Sequence, residues 1–273
     1  MNRDFRVFSI CLVKNEGDII EHCLREASKW SDRIIVYDGE SEDGTWEKVV
    51  AMRNHKIIPW KREDKVFREG LRAEAFNEFR HESREGDWWC RLDADEFYVV
   101  SPKEFLAQVQ PPDHVVWGIA LEYSITEDDL GRLDFSRPCE ELLPELRYYQ
   151  AHNSEPRFFR YRKRLEWPES ASWPLHMGLA HRNRIMYRHY KYRSPTQISR
   201  RLSTRQAAVA RGAEAKSYLS QKHWREKIGK AEDFSFDRQN GHFEIQWSRL
   251  PDPVEPLHRR VLKHLMHGSG IWP

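Results

Sequence analysis

The sequence predicts an α/β fold: a mainly parallel sheet with helices on both faces, followed by a helical C-terminal extension. Three observations lead there. Apolar, β-branched and aromatic runs alternate with helix-period segments through roughly the first hundred residues. That rhythm calls for right-handed crossovers, which build parallel sheets. Polar loops fall where three of those runs end, and ligands on such sheets bind beyond the carboxyl ends of the strands.

Taken in order, residues 6–13 (RVFSICLV) read as a strand, broken by Lys14-Asn15-Glu16-Gly17. A helix follows, because Ile19, Ile20, Cys23, Leu24 and Ala27 recur at helical spacing. Residues 33–37 (RIIVY) form a second buried strand, and residues 38–45 a polar, glycine-bearing turn. A short helix over 46–52 leads to a third strand over 56–60. Leu71, Ala75, Phe76 and Phe79 mark a helix over 69–81. Trp88-Trp89-Cys90-Arg91-Leu92 is the fourth strand. Ser101-Pro102-Lys103-Glu104 opens the next helix, with Ser as N-cap, Pro at the first helical position and Glu closing a capping box.

Residues 114–123 read as another strand, and residues 124–172 as a long loop-rich segment that builds a binding site. A further strand covers 184–190. Ser194-Pro195-Thr196-Gln197 caps a basic helix with Ile198, Leu202 and Val209 on its apolar side. The rest reads as a small helical or irregular tail. The chain therefore divides into a domain over 1–193 and a basic helical extension over 194–273, packed on the core.

Composition narrows the function. The chain has 273 residues, a net charge of +2 and a charged fraction of 32%, which excludes a nucleic-acid binder held by bulk charge. No apolar run is long enough to span a bilayer, and no secretory leader is visible. Cys11, Cys23, Cys90 and Cys139 lack CxxC pairing and read as small buried hydrophobes in a reducing compartment, not as a zinc site. Basic residues crowd residues 182–211, a stretch suited to nucleotide phosphates, an anionic acceptor or a membrane surface.

The most informative stretch is Leu92-Asp93-Ala94-Asp95-Glu96-Phe97, where an apolar run passes straight into two carboxylates one residue apart. Side chains at i and i+2 of a strand point the same way. Two such carboxylates repel and need a cation beside them. A hard divalent ion with a nucleotide phosphate on its far side fits that need. The plain alternative is a surface turn carrying scattered acids.

Together, V-K-N-E at 13–16, D-G-x-S-x-D-G-T at 38–45 and L-D-A-D-E-F at 92–97 resemble the family 2 glycosyltransferases of the GT-A fold, in order and in spacing. His189-Tyr190-Lys191-Tyr192-Arg193-Ser194-Pro195 is similar to a segment of a bacterial subgroup. The resemblance implies a cytoplasmic transferase, at most peripheral to the inner face of a membrane. It would move a sugar from a UDP-, GDP- or dTDP-sugar to a glycan or lipid-linked acceptor, with inversion, in polysaccharide, lipopolysaccharide or glycoconjugate synthesis. It implies Mn²⁺ or Mg²⁺ as cofactor. Asp95 would ligate the metal, Asp93 the ribose or a metal-bound water, and His189 would be the third ligand, the alternative being a structural histidine among tyrosines. Asp38 would accept from the nucleobase or ribose, or else cap its own turn. Lys14, Asn15 and Glu16 would lie near the base, and Arg72 against the diphosphate. Ser41, Asp43 and Thr45 would tie the turn and cap the next helix.

An inverting transferase needs a general base. The family takes it from an acidic pair before a helix near the end of the core, yet the approach to Ser194 holds no acid. Glu169 and Glu127 are the candidates, with Glu166, Asp128 and Asp129 behind them. The segment 188–211 would form a cationic lid over the diphosphate. Rival classes are a metal-dependent phosphohydrolase, a sugar-1-phosphate nucleotidyltransferase and a non-catalytic nucleotide-binding protein on the same fold.

Overall fold

The computed structural model describes residues 4–212, 220–221 and 223–273. β1 (Val7–Val13), β2 (Arg33–Asp38), β3 (Ile57–Arg62) and β4 (Trp88–Asp93) alternate with α1 (Ile20–Ala27), α2 (Thr45–Ala51) and α3 (Leu71–Phe79). These strands lie parallel in the order β3-β2-β1-β4. After them come β5 (Glu96–Tyr98), α4 (Pro102–Ala107), β6 (Asp113–Ser124), α5 (Glu127–Arg132), α6 (Cys139–Leu142), β7 (Tyr148–Arg160), β8 (Leu179–Ala180) and β9 (Ile185–His189). The sheet continues from β4 through β7, β6 and β9 to β5. Because β7 is antiparallel to both β4 and β6, only the first half of the sheet is purely parallel.

Strand alternation sorts the core into two layers. Val7, Cys11, Ile34, Val36, Trp88 and Cys90 face one side, with Ile20 and Leu24 of α1 upon them. Phe8, Ile10, Ile35 and Trp89 face the other, under Phe76 of α3 and Trp167. Phe8 and Trp89 stack at 5.0 Å between centroids. Truncating either ring to Ala would cost about 3–5 kcal/mol through lost burial and the cavity left behind.

β7 was not expected. Asn153, Ser154 and Pro156 interrupt its apolar pattern, and a proline argues against a central strand. Pro156 is tolerated because the β6–β7 register shifts beside it, between Val116 and Trp117. The segment 124–172 is therefore partly sheet, and α5 is closed by a capping box between Thr126 and the fully buried Asp129.

α7 (Pro195–Ala210) begins where its cap predicts: Gln197 N–H donates to Ser194 Oγ at 3.1 Å. β10 (Ser235–Phe236) adds to β7, and α8 (Leu257–Gly268) packs near β8. Among the described residues, no helix is long and apolar enough to cross a membrane.

Candidate functional site

The registers bring three strand ends level. Val13 pairs with Asp38, and Leu12 with Asp93. Beyond them opens a cavity of about 770 Å³. The loop after β1 supplies Lys14, Asn15 and Glu16 to its wall, the loop after β2 Gly39 and Glu40, the turn before α3 Glu69, and α3 Arg72. Asp93, Asp95 and Glu96 form its floor with Glu155 of β7 and His189 of β9, and α7 closes one side with Arg200, Arg201 and Thr204.

Asn15 is the knot of the upper wall. It takes φ of 58°, a left-handed turn that asparagine tolerates. Its N–H donates to Ser41 Oγ at 2.8 Å, its Oδ1 accepts from Glu42 N–H at 2.9 Å, and its Nδ2 reaches Thr204 Oγ1 at 3.0 Å. Asp43 accepts from Gly17 N–H at 2.9 Å and from Arg200 at 2.8 Å. Thr45 Oγ1 accepts from Glu16 N–H at 2.9 Å. These residues tie the loops as expected, but the residue before α2 is Gly44, with no side-chain cap.

Asp38 is completely buried just behind this wall. Its Oδ1 accepts from Ser41 N–H at 2.6 Å, while Oδ2 has no hydrogen-bond partner. Lys14 donates to Gly39 O at 2.6 Å.

The two acids of the floor differ from the side-by-side picture. β4 ends at Asp93, and Asp95 lies in the tight turn before β5, so strand alternation does not set its direction. Asp93 accepts from Arg72 at 2.5 Å and has Arg157 and Arg91 at 3.7 and 3.8 Å. Asp95 instead faces His189, 3.5 Å from Nε2, and Arg201, 3.4 Å away. Protein cations thus relieve the repulsion, and the acids take separate partners.

The family model described as "Glycosyl transferase family 2" matches residues 10–169. The chain belongs to glycosyl transferase family 2. It is a glycosyltransferase of the GT-A fold, and its class implies a nucleotide-sugar donor and an acceptor. Among solved structures, it is similar to mannosyl-3-phosphoglycerate synthase from Rubrobacter xylanophilus, at 16% identity. That match covers 80% of this chain and 76% of the other, with a TM-score of 0.39, too loose to bear on substrate. None of the curated proteins matches.

The electrostatics of this family 2 site follow from burial set against paired charge. Burial alone would raise Asp93, but Arg72, Arg91 and Arg157 overcome it and hold the carboxyl well below its usual range. Burial would likewise raise Asp95, and His189, Arg201 and Arg193 overcome it. Burial would lower His189, yet the facing Asp95 raises it. Glu96 goes the other way: burial pushes it up to about 8 despite its bond to Arg157.

The predicted base candidates stand apart from the floor. Glu169 sits against Gly70 at the rim, and its carboxylate accepts from Arg68 at 2.7 Å. Glu127 and Asp128 are exposed on α5, Glu166 is exposed, and Asp129 is spent on its cap and on Arg132 at 2.6 Å. The basic segment is no loose flap. Arg193 is completely buried, donating to Asp18 at 2.7 Å and to Glu16 at 2.5 Å, and α7 is built into the cavity wall.

Sequence reasoning missed Glu155 and Arg157, and placed Arg201 only within a basic lid over the diphosphate, not beside Asp95. The first two lie in the strand that the proline disguised. Arg201, Arg205 and Ala208 recur at helical spacing on the cavity side of α7, a signal that a search for a polar face would have caught.

Proposed function

We propose that this glycosyltransferase moves a sugar from a nucleotide diphosphosugar to an acceptor hydroxyl with inversion, assisted by a divalent metal. The observation that carries this reading is the meeting of Asp95 and His189 on the floor of the cavity, beside an Asp93 already neutralised by arginines. One carboxylate and one imidazole, both open to the cavity, suit Mn²⁺ or Mg²⁺ that keeps positions for phosphate oxygens and water. Among the described residues no three His, Cys, Asp or Glu side chains form a closed cage. Asp95 and His189 would hold the ion, which when bound supplies a Lewis acid for the leaving diphosphate.

The chain's own residues do the rest. Lys14, Arg200 and Arg201 line the side where the diphosphate would gather negative charge, and fixed cations there stabilise the leaving group. The nucleoside would lie at the ends of β1 and β2, against the wall that Asn15 ties together, with Asp38 buried behind it. Glu155 stands on the strand next to β4 and lines the cavity beside Asp93. We assign it the base role, with Glu169 at the rim as the second candidate and Glu127 as the third. The base takes the acceptor hydroxyl proton. The acceptor oxygen bonds to the anomeric carbon, and the bond from that carbon to phosphate breaks with its electron pair leaving on the diphosphate.

The setting proposed is bacterial glycan assembly in the cytoplasm, on polysaccharide, lipopolysaccharide or another glycoconjugate. Support comes from the subgroup-like segment at 189–195 and from four free cysteines, as expected in a reducing compartment. The test is calorimetry with UDP, GDP and dTDP, with and without Mn²⁺. Metal-enhanced binding of one nucleotide, lost in Asp95→Asn and in His189→Gln, is expected. Binding that ignores both metal and substitutions refutes the metal assignment.

A further inference from the structure

The cavity has a second end, away from the floor where Asp95 meets His189. α7 gives its direction. Arg201 stands at Asp95, Thr204 at Asn15 and Arg205 at Phe67, and Arg211, just past the last turn, pairs with Asp64. Arg205 is one helical turn on from Arg201, roughly 6 Å along the axis. The loops after β2 and β3 meet at this end. Lys14 donates to Gly39 O at 2.6 Å and lies 3.7 Å from Asp64, and Glu63 N–H donates to Asp38 O at 3.0 Å.

Phe67 and Glu40 line this end without serving the fold. Phe67 is 38% exposed and belongs to neither core layer. Arg205 lies over its ring, 5.5 Å from the centroid, and pairs with no carboxylate among the described residues. A nucleobase stacks on an aromatic ring and on a guanidinium plane alike. Glu40 is exposed in the cavity wall with φ of 61°, a left-handed backbone that strains a residue with a Cβ. The glycine of that turn sits one residue earlier, at Gly39, and relieves nothing there. Glu40 makes no hydrogen bond or ion pair among the described residues. A carboxylate left unpaired in the site of a polyanion opposes binding unless it accepts hydrogen bonds from the ligand.

Guanine suits such a carboxylate. Its N1–H and 2-amino group stand side by side, and one carboxylate accepts from both in a fork. Uracil and thymine offer a single N–H flanked by two carbonyl oxygens, which a carboxylate repels. Adenine and cytosine set a donor beside an acceptor. We propose that Glu40 selects guanine, stacked at Phe67 and Arg205, so that the donor is a guanosine diphosphosugar. The proposal rests on reading this cavity as the nucleotide-sugar site.

The experiment is calorimetry of the full chain with GDP, UDP, dTDP and inosine diphosphate, all with Mn²⁺. GDP should bind at least about tenfold more tightly than UDP or dTDP, the share of a hydrogen bond to a charged group. Inosine diphosphate, which lacks the 2-amino group, should fall between. Glu40→Gly relieves the left-handed backbone, so its melting temperature should hold or rise while the preference for GDP disappears. Phe67→Leu should weaken every nucleotide alike, by about tenfold, because stacking ignores base identity. UDP or dTDP binding as tightly as GDP, or a preference that survives Glu40→Gly, overturns the proposal and leaves the donor site standing. Unchanged affinities in Phe67→Leu overturn the stack. Failure of every nucleotide to bind overturns the donor reading itself, and this proposal with it.

Discussion

Arg201 Nη1 stands 3.4 Å from Asp95 Oδ2, on the carboxylate whose other oxygen faces His189. The same nitrogen lies 3.3 Å from Glu16 Oε1. A guanidinium therefore occupies the approach that a divalent ion would share, and cation competes with cation for one carboxylate. Removing the arginine should free Asp95. Arg201→Gln is expected to bind Mn²⁺ more tightly, by roughly tenfold for a partly screened charge at this distance, and nucleoside diphosphate without metal more weakly. Calorimetry reads both. Unchanged Mn²⁺ affinity would mean that Arg201 does not compete for Asp95.

Asp38 offers one satisfied and one orphaned oxygen. Asn at this position keeps an oxygen for Ser41 N–H and gives up the carboxylate. If the orphan serves the nucleoside, Asp38→Asn should leave the melting temperature within a degree or so and weaken nucleotide binding by about tenfold, the share of one charge-assisted hydrogen bond. A variant that melts lower yet binds nucleotide normally would leave Asp38 as a turn residue.

Glu155 and Glu169 can be separated by rate. Replacing a general base lowers turnover by about 10²- to 10⁴-fold with little change in donor affinity. That loss is expected for Glu155→Gln, which lines the cavity beside Asp93, and not for Glu169→Gln, whose exposed carboxylate lies outside the cavity lining and pairs with Arg68. Steady-state transfer to a fixed acceptor decides. A full loss in Glu169→Gln alone would move the base to the rim.

The sequence made the donor side of the site legible because each strand of the parallel half ends in an abrupt change of polarity. Asp38 and Asp93 mark two of those ends, and the register places them on either side of β1. The acceptor side was hidden for a physical reason. β7 is buried where it crosses the sheet yet carries Asn153, Ser154 and Pro156, so it shows neither alternation nor an apolar run, and Glu155 and Arg157 were hidden with it. Arg193 looked like part of a mobile basic strip because its partners, Glu16 and Asp18, lie at the far end of the chain. Pairing over that separation leaves no local trace.

Burial makes Arg193 a structural test. It is completely buried, and Glu16 and Asp18 neutralise it. Removing one partner of a buried pair leaves the other charge uncompensated, at a cost of about 3–5 kcal/mol. Arg193→Ala should lower the urea midpoint accordingly. Arg193→Lys should recover part of the loss, because it restores the charge without the two-pronged geometry. A midpoint within error of the parent would show that the network adds nothing to stability.

His114 supplies the pH dependence. Burial lowers its pKa to about 3, and Arg162, His267, Arg160 and His264 add repulsion against a proton. Its Nδ1 is buried without a partner and packs close against Gly178. In the unfolded chain the group titrates near its ordinary value, about 6.5. Above that value both states carry neutral imidazole, and His114 gives stability no slope. Below it the unfolded chain takes up a proton that the folded chain refuses, so stability falls as pH falls from about 6.5 toward 3. His114→Gln removes the titration and keeps a polar side chain. Urea midpoints at about pH 7.5 and about pH 5.5 should therefore drop less in the variant than in the parent. Because the other titrating groups are common to both proteins, the difference between the two drops reads His114 alone. Equal drops would show that His114 is protonated in the folded state as readily as in the unfolded one.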